Sequence, residues 1–243
     1  MHLFEILTKK IENKLQELIK IAPTPIFRRG WRFLYNSKKT IDSNNGICLL
    51  ALNPGGKEEN QDHGKESCEN GSAILTERWK NYDAGMSLLQ IQYKQLFMEI
   101  AANIGEQDYK IVLEKSLIGF FIPFRSPNFE EINLYEKDLL NFGKVLWSEI
   151  FSKCTPKVIV CIDQKTYKSI HELLVVNLQF KPIENKIFKS GWGNVTVNLA
   201  HFHKENKKIS ILRLPHLSTY KLFSNDSSKD KIKEIIKELM QGF

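Results

Sequence analysis

Cysteine is scarce in this chain. Residues 48, 68, 154 and 161 are the four present, and no two stand in a C-x-x-C pair. Neither an iron–sulfur cluster nor a zinc framework can be built from them alone. Cys48 and Cys161 fall inside apolar runs and read as small buried thiols. Two nucleotide-binding fingerprints are also missing. No G-x-G-x-x-G follows an apolar run, and Gly64-Lys65-Glu66 lacks the hydroxyl a P-loop needs after its lysine. His201 and His203 share a strand face without a third ligand nearby, so they read as surface histidines rather than a metal site. No apolar stretch approaches membrane-spanning length, and the start Met1-His2-Leu3-Phe4-Glu5 has no signal-peptide core. A cytoplasmic protein with reduced thiols, no cofactor, no metal and no membrane partner is the expectation.

What is present is ordinary in bulk and uneven in charge. Of 243 residues, 42% are hydrophobic and 26% charged, with a net charge of +7. That balance suits a globular protein with a sizeable core, and the excess of Lys and Arg favours polyanionic partners such as DNA. With no internal repeat and no interdomain linker, residues 1–243 read as a single domain with an N-terminal helical extension at 1–35 and an insert at 57–85.

Leucines and isoleucines at helical spacing predict an amphipathic helix over 3–21, stopped by Pro23 and Pro25. Further helices are expected at 86–104, 131–152 and 164–176, and at 231–240 after a Ser228 cap. Continuous apolar runs at 47–52, 117–122, 158–162 and 209–214 read as strands covered on both faces. Residues 187–214, with a Gly191-Trp192-Gly193 turn, predict a hairpin appended to the last strand. Strands alternating with helices imply an α/β fold: a three-layer α/β/α sandwich around a mainly parallel sheet of four core strands.

The chemistry is expected at the strand ends, where an open parallel sheet forms its ligand crevice. The first strand runs into Asn53-Pro54-Gly55-Gly56, and the last into Pro215-His216-Leu217-Ser218. Ala51-Leu52-Asn53-Pro54-Gly55 resembles the first motif of the mismatch-specific branch of the uracil-DNA glycosylase superfamily. Phe120-Phe121-Ile122-Pro123-Phe124-Arg125 is similar to a second segment of many members. Val158 to Asp163 resembles their third strand, and Pro215-His216-Leu217-Ser218 resembles their closing His-Pro-Ser motif. The four segments follow the family's order over roughly residues 47–223.

That resemblance implies a DNA glycosylase of base excision repair that flips a damaged or deaminated base into a pocket and cleaves its N-glycosidic bond. Asn53 would hold the attacking water, and His216 would donate a hydrogen bond to the departing base. Pro54, Gly55 and Gly56 would meet the DNA at their turn, the glycine amides and the Ser218 hydroxyl gripping flanking phosphates. Tyr220 would fill the gap left by the flipped base. Arg125 is either a phosphate contact or a structural ion pair.

Arg28, Arg29 and Arg32 read first as a solvated basic face and second as DNA contacts. Trp79 or Tyr82 would stack on the base, although core packing is the stronger reading of Trp79. Phe120 stands where the family carries an asparagine that reads the base edge, Asp163 replaces a glycine and Leu217 a proline. These departures imply either a different base or a catalytically silent nucleic-acid-binding or protein-interaction module on the same scaffold.

Overall fold

The computed structural model describes residues 2–42, 46–56 and 64–241. The expected insert is therefore described only over 64–85; residues 57–63 lie outside. Helix α1 (Leu3–Ile21) buries Leu3, Leu7, Ile11, Leu15 and Leu18, one residue per turn on one face. It ends as the spacing predicts: Ala22 is extended ahead of Pro23, a residue that disfavours helix before it. After a short turn at Pro25–Arg29, residues 31–35 run alongside the sheet.

The rest follows in chain order: α2 (Lys39–Asp42), β1 (Ile47–Ala51), α3 (Ala73–Thr76), α4 (Leu88–Asn103), α5 (Tyr109–Lys115) and β2 (Leu117–Phe120). Then come α6 (Glu136–Lys153), β3 (Val158–Cys161), α7 (Gln164–Glu172), β4 (Lys181–Lys189), β5 (Thr196–Lys204), β6 (Lys207–Arg213), α8 (Leu217–Tyr220) and α9 (Lys229–Met240).

Among the described residues one six-stranded sheet forms in the order β2-β1-β3-β6-β5-β4. β2, β1, β3 and β6 are mutually parallel. β5 returns antiparallel beside β6, and β4 antiparallel beside β5. Helices cover both faces. Cys48 and Leu50 of β1 face a cluster with α1, α6 and α7, while Ile47 and Leu49 face a cluster with α4, α5 and α9. That alternation is the period-two rule of a strand buried on both sides. Trp147 of α6 is wholly buried, and its indole N–H donates to the Phe120 carbonyl at 3.1 Å. A tryptophan can sit that deep only when its one donor is met.

The two sheet edges end differently. Along β2, residues 31–35 form a ragged antiparallel strip: Trp31 bridges Phe124, Leu34 bridges Gly119, and Phe120 N donates to Phe33 O at 3.0 Å. The approach is so close that a Cβ on Gly119 would stand 2.7 Å from the Phe33 carbonyl. Along β4 the outer side is open, but the register shifts between Pro182 and Glu184, and Lys181, Glu184, Lys186 and Lys189 punctuate the strand.

Several expectations need correcting. Arg32 is not part of a solvated basic face. It is 1% exposed, and its guanidinium grips the Glu77 carboxylate through both terminal nitrogens and reaches Cys68 Sγ at 3.3 Å. The pairing of residues 31–35 with β2 carries it inward. Arg29 is tied to Glu131 at 2.6 Å; Arg28 is exposed. Ser228 precedes α9 but does not cap it, because its hydroxyl donates to Leu222 O at 2.8 Å. α6 begins at Glu136, after a 3-10 turn at Phe129–Tyr135 opened by Asn128.

Candidate active site

The four parallel strands stop on one side of the sheet, and the segments that follow them border one cavity of about 810 Å³. Asn53, Gly55 and Gly56 come from the loop after β1, and Ser126 to Phe129 from the loop after β2. Ile162 and Asp163 follow β3; His216 and Ser218 follow β6. Asn53 and His216 thus share one cavity, although more than half the chain separates them. The rest of the wall comes from Trp79, Lys80 and Tyr82, and from the start of α4, with Tyr35, Tyr93 and Phe120.

The turn after β1 is stitched to the loop after β2. Asn53 Nδ2 donates to Pro54 O at 3.3 Å and to Phe124 O at 3.5 Å. Ser126 N donates to Pro54 O at 3.0 Å, and Arg125 Nη1 to Gly55 O at 3.4 Å. These are mostly long bonds, but together they orient the amide so that its donors face backbone. Asn53 Oδ1 has no partner among the described residues and stays available as an acceptor.

Arg125 does not border the cavity. It is 7% exposed and pairs with no carboxylate among the described residues. Burial, and then the neighbouring Arg32 cation, pull its pKa down. The structural ion pair is therefore not formed, and Arg125 instead supports the Gly55 carbonyl from behind.

His216 is the residue immediately before α8. Its Nδ1 lies 2.9 Å from the Ser218 hydroxyl. Burial against the cavity wall lowers its pKa, while the nearby Asp163 carboxylate works against that shift. The net lowering from the ordinary value leaves a neutral ring at pH 7, with one nitrogen a donor and the other an acceptor. The bond fits either tautomer: where the Ser218 hydroxyl donates to Nδ1, the ring proton sits on Nε2. Ser218 is thus engaged with His216 rather than standing free. Tyr220 is outside the cavity border, its ring edge-on to Trp192 at 6.3 Å. Pro54 is buried within its turn.

Asp163, Tyr35 and Tyr93 were not legible in the sequence as residues of the site. Asp163 caps α7, accepting from Thr166 N at 2.7 Å, and its second oxygen is sealed from solvent with no partner. Burial raises its pKa, with the Thr166 bonds and His216 opposing. Tyr35 and Tyr93 border the cavity although both are buried. Trp79 is half-buried and borders the cavity, not the core. Phe120 borders it too, its ring 4.8 Å from that of Tyr35.

Away from this edge, His201 Nδ1 lies 2.9 Å from the Ser210 hydroxyl, and His203 is exposed. Among the described residues no three His, Cys, Asp or Glu side chains are grouped to hold a metal ion. No described helix is long and apolar enough to cross a membrane.

The fold and cavity define an α/β protein with a cavity at the carboxyl edge of a mostly parallel sheet. No family model matches the sequence, and no curated protein matches it.

Proposed function

We propose that this protein is a DNA glycosylase-like hydrolase, built on a uracil-DNA glycosylase-type sandwich with four core strands, that acts on a damaged or deaminated base in the cytoplasm. One observation carries the reading: Asn53 and His216 border the same cavity, an amide oxygen left to accept beside an imidazole whose Nδ1 is engaged by Ser218. The net charge of +7 supports DNA as the partner.

The chemistry follows from those two groups. Asn53 Oδ1 accepts a hydrogen bond from water and holds its oxygen toward the anomeric carbon; an amide is too weak a base to do more. As the C–N bond breaks, its electron pair moves onto the base, and His216 Nε2–H donates to the oxygen where charge gathers. The water oxygen bonds to the sugar carbon and its proton passes to solvent. His216→Ala and Asn53→Ala should each slow base release about 100-fold or more, the typical worth of one preorganised donor. DNA binding should persist, because phosphate contacts come mostly from other groups. The test is a panel of oligonucleotides bearing uracil, hypoxanthine, xanthine or mismatches, scored for abasic sites. Excision equal to wild type in both variants would reject the assignment.

Phe120 favours a second reading. It occupies the cavity wall with no group to read a base edge, which fits a module that binds nucleic acid without cleaving it. DNA binding without excision of any base in the panel would select that reading.

A further inference from the structure

We propose that Tyr35 and Tyr93 determine specificity at this site, their two hydroxyls donating hydrogen bonds to carbonyl oxygens on the edge of the base that enters the cavity. The inference rests on the reading above for its occupant, a nucleobase. It goes beyond that reading in naming the groups that discriminate and the feature they select: ring oxo groups over amino groups.

The first support is unmet hydrogen bonding. Tyr35 is 8% exposed and Tyr93 2%, and both border the cavity. Neither hydroxyl has a protein partner among the described residues, yet neither is among the sealed, unsatisfied atoms of the interior. A buried phenol is costly to leave unpaired, so two of them beside a cavity mark where a ligand's polar atoms fit.

The second support is that two neighbouring polar side chains, Gln90 and Ser126, are already occupied, as is the Asn128 amide oxygen. Gln90 donates to Ala73 O and Glu77 O and accepts from Ser87 N. Asn128 accepts from Glu131 N, and Ser126 Oγ donates to Asn128 O. Phe120, beside Tyr35, has nothing to offer.

The third support is the direction of the bond. The Arg32 guanidinium lies 4.7 Å over the Tyr35 ring, drawing electron density from it and strengthening its O–H as a donor. Burial still dominates and pushes the Tyr35 pKa up to about 12, so the proton stays in place at neutral pH. Burial pushes Tyr93 well up too, and the fields of Tyr35 and Asp163 add to it. A phenol can donate or accept, but the Arg32 cation over the Tyr35 ring strengthens its O–H and weakens its oxygen as an acceptor, which favours carbonyl oxygens over amino groups.

The test is calorimetric titration of wild type, Tyr35→Phe, Tyr93→Phe and the double variant with free uracil, xanthine, cytosine and adenine. Phenylalanine keeps the ring packing, and unchanged melting temperatures establish that the variants fold. Wild type should bind uracil and xanthine more tightly than cytosine and adenine. Each substitution should weaken binding of the oxo bases by roughly 3–10-fold, as expected for one neutral hydrogen bond, and leave the amino bases little changed. Equal binding by wild type and both variants, a wild-type preference for amino bases, or no binding of any base would overturn the proposal. Titration with free bases needs no bond cleavage, so the two readings fail separately. Tyrosine-dependent binding of oxo bases without excision from DNA would sink the glycosylase and spare this inference. Excision indifferent to both substitutions would do the reverse.

Discussion

Glu77→Gln probes the joint between the N-terminal strip and the described part of the insert, and its effect can be worked out from burial. Arg32 is 1% exposed at its side chain and Glu77 11%, so the pair is screened by little water. Removing one partner of a buried ion pair typically costs about 3–5 kcal/mol, because the other charge stays buried. Glutamine keeps one acceptor oxygen for the guanidinium, which reduces the expected loss to about 2–3 kcal/mol. For a chain of this length each kcal/mol lowers Tm by about 2–4 °C, so a fall of about 4–12 °C is expected. Arg125 sharpens the effect: it already feels Arg32 as a like charge, and without the carboxylate two buried cations face each other. Urea unfolding followed by circular dichroism gives the free energy. Adding Arg32→Met to Glu77→Gln should restore much of the loss, since an apolar side chain needs no counter-charge. A Glu77→Gln protein within about 0.5 kcal/mol of wild type, the range of ordinary surface changes, would refute the reasoning.

Ser218→Ala removes the hydroxyl bonded to His216 Nδ1, which orients the ring. Excision should fall by roughly 3–10-fold, the worth of one hydrogen bond, far less than for His216→Ala; equal losses in the two variants, measured as kcat under single-turnover conditions, would deny Ser218 a merely orienting role. Asp163→Asn should raise Tm at neutral pH. The folded-state pKa of Asp163 is raised, so its ionisation penalises the native state above that pKa, and the penalty disappears below the unfolded value once both states are protonated. The gain in Tm should therefore shrink as pH is lowered into the acid range, and a difference constant with pH would contradict it.

How much could be read in advance differs from element to element. The four apolar runs announced themselves as strands because each is buried on both faces, and β1, β2 and β3 start where those runs start. Helix α1 was legible to the residue, its stripe intact and its end marked by proline. Short α5 escaped because seven residues hold too few turns for a periodic stripe. Arg32 escaped because charge argues for solvent, and only the pairing of residues 31–35 with β2 brings it to Glu77. Asn53 and His216 were visible through the turns that hold them. Tyr93 was not: in the sequence it is one more apolar-face residue of α4, and a core tyrosine differs from a cavity tyrosine only in what its hydroxyl meets. Ser228 shows the opposite failure, a good capping residue whose hydroxyl finds a nearer carbonyl.

The strip at residues 31–35 also has a meaning for how these molecules behave at high concentration. A bare strand margin is a template on which another chain can grow a sheet without end. Here β2 is occupied by its own N-terminal segment, while β4 is kinked at Pro182 and studded with charge. One margin is closed by possession and the other by irregularity. Because Tyr35 lies in that strip, the same segment that denies neighbours a foothold also lends one side chain to the wall of the cavity.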